Sequence, residues 1–275
     1  MRFSQKLEQA ARKNGSLLCV GLDPDPAFMP LDHVADFNRA IIDATAAFVC
    51  AYKPNLAFYE ALGETGYGVL RETLAAIPRD IPVIGDGKRG DIGNTAKAYA
   101  RALFDDLGFD AVTVNPYLGG DSLEPFLERD DRGVFILCRT SNPGARDLQD
   151  LPVATDSGAR PLFEVVAESA RHWNSGGNVG LVVGATYPEE LRRVRQICPE
   201  MTLLVPGVGT QGGDVAAVLK NGLDASGGGL IINVSRQVLY ASRGQDFAQA
   251  AAEAARRLRD EIAGEQERVL EGRVD

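Results

Sequence analysis

The run Asp86-Gly87-Lys88-Arg89-Gly90-Asp91-Ile92-Gly93-Asn94-Thr95 sets two carboxylates around a lysine. It lies between a strand-like segment, Ile81 to Ile84, and a helix-like one, Ala96 to Leu107. If the strand continues through Lys88, Asp86 and Lys88 are two residues apart and leave the same face, carboxylate beside ammonium. The glycines that follow let the backbone turn sharply and bring Asp91 back near the pair. A carboxylate on each side keeps a lysine protonated, because opposite charges favour the charged form. Such a lysine donates a proton and is not a resting nucleophile. The same pattern in an ordinary turn is a solvated connection whose surface ion pairs contribute little, so its meaning depends on the elements that position it.

Those elements alternate. Eight short β-type runs are predicted at Leu17 to Leu22, Phe48 to Lys53, Ile81 to Asp86, Ala111 to Asn115, Val134 to Arg139, Asn178 to Val183, Thr202 to Val205 and Leu230 to Val234. Amphipathic helical segments lie between them, for instance Asp36 to Ala47, Tyr59 to Ala76, Leu162 to Trp173, Glu189 to Ile197 and Val215 to Asn221. Continuous apolar strands alternating with helices argue for an α/β protein of the closed (β/α)8 TIM-barrel type, formed as one domain over residues 1–275. An open doubly wound sheet is the alternative. Phe3 to Lys13 reads as a helix plugging the bottom, and Gln245 to Arg273 as a final helix with a solvated charged tail. The connection Thr140 to Arg160, with Asn142-Pro143-Gly144 and Asp156-Ser157-Gly158, reads as a structureless lid.

In such a barrel chemistry sits at the C-terminal strand ends, and here those ends are polar. They carry Asp23, then Lys53 and Asn55, then the opening run, then Ser141, then Pro206 and Gly207, then Ser235 and Arg236. Gly207, Gly209, Gly212 and Gly213 precede a helix beginning near Asp214, and exposed amides of such a loop can cradle a phosphate. Arg236 adds charge at the next strand end, and phosphate sites after strands seven and eight recur in barrels.

Composition narrows the classes. The 275 residues carry a formal net charge of −9, which argues against nucleic-acid binding, since phosphate backbones need basic surfaces. Cys19, Cys50, Cys138 and Cys198 lack the spacing of a metal or redox site and read as reduced core thiols of a cytoplasmic protein. No apolar run reaches the roughly 18 to 20 residues that span a bilayer, and the N-terminal residues have no hydrophobic signal core. No metal, membrane or nucleic-acid partner is expected.

The opening run, closed by Asn94 and Thr95, resembles the active-site signature of the orotidine 5′-phosphate decarboxylases, enzymes that convert orotidylate to uridylate and CO2 in pyrimidine synthesis. Asp23, Lys53, Asp86, Lys88, Asp91, Thr95, Ser141, Gln211 and Arg236 fall in the order and contexts that this family uses, and the long connection resembles its larger-chain bacterial (type 2) subgroup. The resemblance implies a cofactor-free lyase in which Lys88 protonates C6 within a charge network of Asp86, Lys53 and Asp91, while Asp23 and Lys53 hold the ribose. It further implies a homodimer in which Asp91 and Thr95 come from the partner, Ser141 bonds the pyrimidine amide, and Gln211 and Arg236 grip phosphate, with Pro206, Gly207 and Ser235 lining the same site. Losing CO2 leaves a carbanion without an electron sink, so the site must stabilise that charge and then protonate it. The rivals are a Schiff-base aldolase, which would need Lys88 or Lys53 with a depressed pKa that flanking carboxylates oppose, a magnesium-dependent barrel enzyme using Asp86 and Asp91, and a non-catalytic uridylate-binding protein.

Overall fold

The computed structural model describes residues 1–156, 158–209 and 212–273. Its strands are β1 (Leu18–Leu22), β2 (Ala51–Pro54), β3 (Ile84–Arg89), β4 (Ala111–Val114), β5 (Gly133–Arg139), β6 (Pro152–Thr155), β7 (Gly158–Pro161), β8 (Val179–Val183), β9 (Leu203–Pro206) and β10 (Leu230–Val234). The helices are α1 (Phe3–Asn14), α2 (Val34–Thr45), α3 (Leu56–Glu60), α4 (Gly66–Ala76), α5 (Gly93–Arg101), α6 (Glu124–Leu127), α7 (Leu162–Trp173), α8 (Pro188–Ile197), α9 (Val215–Gly222), α10 (Arg236–Leu239) and α11 (Phe247–Glu271). Eight parallel strands follow one another in the order β2-β1-β10-β9-β8-β5-β4-β3. Parallel bridges Tyr52 to Val83 and Asn55 to Asp86, with Tyr52 N–H donating to Pro82 O at 3.0 Å, bring the two ends together. This is a nearly closed (β/α)8 barrel, and the predicted eight strands are its eight staves.

The strands read as unbroken apolar runs because both faces are covered. Outward residues such as Leu18, Val20, Tyr52, Val112, Leu181 and Ile232 pack under the helices. Inward residues Cys19, Ala51, Ile84, Ala111, Phe135, Val182, Leu204 and Ile231 form a second cluster with Phe3, against which Leu7 and Ala11 of α1 also pack. The bottom plug is therefore real. Phe3 meets Phe135 edge-on with ring centroids 5.7 Å apart, in a space that exists because Gly133 has no side chain: a Cβ there would lie 2.5 Å from the Phe3 ring. All four cysteines are buried free thiols.

Boundaries differ where local chemistry overrules pattern. The second strand begins at Ala51 and not Phe48, because Ala46–Phe48 is a 3-10 turn whose Phe48 carbonyl accepts from Ser16 Oγ at 2.7 Å. The third begins at Ile84 and not Ile81, since Pro82 has no N–H to give a ladder. The predicted helix Tyr59 to Ala76 is two helices, broken where Gly63 takes the left-handed φ of +65°.

The connection after β5 is not structureless. It holds a 3-10 turn, Pro143–Asp147, and the antiparallel hairpin β6/β7; Ser157 lies outside the described residues. Its root is pinned by Arg139, which is fully buried, stacks 3.9 Å from the Tyr187 ring centroid and donates to Asp150 Oδ2 at 3.2 Å. Thr140 N–H donates to Gln149 Oε1 at 2.8 Å across the same root.

Because Phe3 fills the floor of the barrel, Phe3→Ala is expected to lower the unfolding free energy by about 3 kcal/mol, read as a lower urea midpoint at unchanged slope. A midpoint equal to that of the unmutated protein would show that α1 does not hold the floor.

Candidate active site

The polar centre of the cleft is a carboxylate shared by three donors. Asp86 Oδ2 accepts from Lys53 Nζ at 2.6 Å, while Oδ1 accepts from Lys88 Nζ at 2.6 Å and from Thr113 Oγ1 at 2.9 Å. Thr113 Oγ1 in turn accepts the Lys88 amide at 2.9 Å. The two lysines are not equivalent: the Lys53 side chain is 5% exposed and that of Lys88 is 47% exposed. Lys53 is built in, and Lys88 faces whatever enters. Burial works against charge on Asp86, yet Lys53 and then Lys88 outweigh it and hold the carboxyl well below the usual range. Burial also works against charge on Lys53, and Asp86 and then Asp23 outweigh it, holding the ammonium above the ordinary lysine value.

Lys88 reaches Asp86 by an irregular route. The β3–β4 register shifts between Gly85 and Arg89, and Lys88 has φ +46°, the one positive φ outside glycine among the described residues. A bulge of this kind re-aims a side chain beside an active site. Strand alternation alone therefore does not place Lys88.

A second network lies along β1 and β10. Asp23 accepts from Ser235 Oγ at 2.6 Å and from the Asn55 amide at 3.2 Å, and its carbonyl accepts from the Tyr240 hydroxyl at 3.0 Å. Ser235 comes this close because residue 21 is glycine: a Cβ there would lie 2.0 Å from Ser235 Oγ. Asp23, Lys53, Asp86, Pro206, Gly207, Ser235 and Arg236 line one cleft of about 310 Å³ with Asp25, Phe28, Asn55, Phe58, Val208, Asn233, Val234 and Tyr240. Its wall thus joins Lys53 and Asp86, on β2 and β3, to Arg236 after β10.

The glycine loop after β9 folds on itself. Gly213 N–H donates to Gly207 O at 3.1 Å, Gly209 N–H to Gly213 O at 3.1 Å and Gly212 N–H to Gly209 O at 2.8 Å. The side chain of Asp214 caps the first amides of α9 at 3.2 and 3.4 Å. Three of the four amides expected to face a phosphate are thus already engaged, as are the helix amides behind them. Gly207 and Arg236 remain as cleft-lining groups.

Comparison with known proteins places this geometry in one group. The sequence profile of the orotidine 5′-phosphate decarboxylase / HUMPS family matches residues 16–254. The chain belongs to this family. A protein of Dehalococcoides mccartyi named orotidine 5′-phosphate decarboxylase is 57% identical over 263 residues, covering 95% of this chain and 97% of its own. One of the same name from Herpetosiphon aurantiacus is 58% identical over 256 residues, covering 90% and 93%. The solved OMP decarboxylase of Leishmania donovani superposes with a TM-score of 0.85 at 45% identity, covering 97% of this chain and 99% of that one.

Seven of the residues expected from the orotidine 5′-phosphate decarboxylase resemblance line the cleft, and an eighth, Lys88, touches its wall through Asp86. Others do not gather there. Asp91 does not turn back to the pair: its Oδ1 accepts the neighbouring Ile92 amide at 2.8 Å. The reason is that Arg89 continues the ladder, its carbonyl accepting Asn115 N–H at 2.8 Å, which carries the following turn outward past β4. Thr95 is exposed on α5, and Ser141 sits at the loop root against Gly184. Gln211 lies outside the described residues. Thr113, Phe28 and Tyr240 are not marked by the sequence, and Asn233, at the polar end of the last predicted strand, carries no role there; Thr113 and Asn233 lie on predicted strands two residues beyond a buried apolar residue, which is the available signal.

The shifted values make a pH prediction. A carboxyl whose folded pKa lies below its unfolded value stabilises fully above that unfolded value, about 4, and loses the contribution as pH falls through the folded value. Asp86→Asn, which strands Lys53 in a buried site, is expected to cost about 3 to 5 kcal/mol. The gap in urea stability between wild type and this variant should stay constant from about pH 5 to 7 and shrink only in stronger acid. A gap that closes between pH 5 and 7 would contradict the shared-carboxylate assignment.

Proposed function

We propose that the cleft decarboxylates orotidine 5′-phosphate to uridylate without a cofactor, with Lys88 protonating C6. The observation that carries this reading is the Lys53–Asp86–Lys88 cluster, whose first two members line the same cleft as Arg236. Phosphate held by Arg236 and Gly207, and ribose beside Asp23, would lay the base against the half-exposed Lys88. As CO2 leaves, negative charge grows on C6 next to an ammonium already oriented by Asp86, so little reorganisation is needed before the proton moves. Asp86 faces the departing carboxylate and disfavours the ground state. An aldolase would need an amine with a depressed pKa, and Lys53 is held in the opposite direction.

The reading includes a homodimer. Ile92, between Asp91 and Thr95, and Tyr117 and Leu118 after β4 are 60%, 79% and 47% exposed, large apolar residues that a second copy would cover. Asp91, whose Oδ1 accepts the neighbouring Ile92 amide, and Thr95 then complete the neighbour's site. The four buried thiols fit a reducing, cytoplasmic compartment, and no helix among the described residues is long and apolar enough to cross a membrane.

The direct test is the absorbance fall as orotidylate becomes uridylate, followed with purified protein. Lys88→Ala should bind uridylate and unfold like wild type while losing more than 10³-fold in kcat, as removal of a proton donor that also stabilises the carbanion implies. Activity within tenfold of wild type would remove Lys88 from that role.

Shared sites make a separate prediction. Mixing inactive Lys88→Ala with inactive Asp91→Ala chains under subunit exchange should regenerate activity, since one site of the mixed dimer carries both lesions and the other neither. Continued inactivity despite demonstrated exchange would place Asp91 outside the partner's site.

A further inference from the structure

On four strands the barrel interior changes from apolar to polar at the same step. Two residues beyond the floor residues Ala51, Ile84, Ala111 and Ile231 stand Lys53, Asp86, Thr113 and Asn233. The first three satisfy one another through the Asp86 carboxylate. Asn233 does not join them. It is 7% exposed, it lines the cleft, and its Oδ1 is buried without a hydrogen-bond partner among the described residues. A buried acceptor left unpaired costs free energy comparable to a lost hydrogen bond, and among the described residues this is the one such side-chain atom that belongs to a residue lining the cleft.

Its place limits what can satisfy it. Asn233 pairs in register with Cys19 on β1 and Pro206 on β9, and Arg236 follows it by three residues of chain, at most about 10 Å. It therefore belongs to the phosphate-and-ribose half of the cleft. The loop root carrying Ser141 follows β5, with β8 and β9 between it and β10. A nucleoside monophosphate offers an acceptor few donors: its phosphate only accepts when ionised, and its imide N–H lies on the base. The ribose hydroxyls remain.

Resting on the reading of the cleft as an orotidylate site, we propose that Asn233 is a substrate-binding residue whose Oδ1 accepts a hydrogen bond from a ribose hydroxyl, and so selects ribonucleotides over deoxyribonucleotides. The test is the affinity of wild type, Asn233→Leu and Asn233→Thr for uridylate, 2′-deoxyuridylate and 3′-deoxyuridylate. Wild type should bind uridylate more tightly than at least one deoxynucleotide. Asn233→Leu should weaken uridylate by about tenfold and change the affinity for that deoxynucleotide less than twofold, so that the preference collapses. Asn233→Thr, which keeps an oxygen on a strand-favouring side chain, should restore part of it. In turnover of orotidylate the leucine variant should raise KM more than it lowers kcat. Equal weakening of all three nucleotides, no weakening at all, or a wild type that binds the three alike would each overturn the contact; the last needs no variant to fold. A wild type that fails to decarboxylate orotidylate overturns the functional reading, whereas turnover with an unselective Asn233 overturns this inference alone.

Discussion

One buried carboxylate organises the site. Asp86 takes two ammonium groups and a hydroxyl on two oxygens, above a floor of apolar side chains that screens poorly, so each of those contacts is stronger than it would be in water. The arrangement divides labour between chemically identical residues. Lys53, on the neighbouring strand and out of solvent, neutralises Asp86 and fixes it. Lys88, at the edge, is oriented by the same carboxylate and still open to a ligand. Without Lys53, Asp86 would be a buried charge with a half-solvated partner; without Asp86, Lys53 would be buried alone, the costlier outcome.

Much of this is legible in the sequence because the barrel, and Lys53 and Asp86 within it, follow from periodicities, whereas Lys88 joins them only through the bulge. Eight apolar runs with helical segments between them give the staves, and strand-end polarity gives Asp23, Lys53, Asp86, Ser235 and Arg236. What is not legible depends on contacts between distant segments. Tyr240 enters the site by reaching back to Asp23 O and Asp25 N–H across more than two hundred residues, and nothing in its neighbourhood announces this. The hairpin β6/β7 has four residues in each strand and buries none of them, so no apolar run marks it. The glycine loop carries the sequence signature of an anion cradle, yet its amides close on one another, because φ values of +98°, +78° and +87° at Gly207, Gly209 and Gly212 curl it inward.

The walls of the cleft rest on different supports. Around the lysine–aspartate cluster, Asp86 lies where the β3–β4 register shifts and where β2 meets β3 through isolated bridges, so its buried hydrogen bonds to Lys53 and Thr113 fix it more than regular pairing does. The wall nearer Arg236 is made of Pro206, Gly207 and Val208 and the start of α10, held by close approaches such as Ser235 against Gly21 and a Gly213 that leaves no room for a Cβ beside Ala185. Arg139 performs the corresponding task for the connection after β5, a buried guanidinium between Tyr187 and Asp150 at the point where the chain leaves the barrel.

The left-handed backbone of Lys88 has a consequence for how this chain would respond to selection. A side chain at φ +46° is held in strain of roughly 1 kcal/mol that glycine would relieve and asparagine would reduce. A library screened for thermal resistance alone would therefore be drawn toward discarding the amine at position 88, while one screened for growth on the product would keep it. Where the two screens disagree about a residue, stability and chemistry are in open competition, and in this barrel that competition is concentrated at a single bulged position.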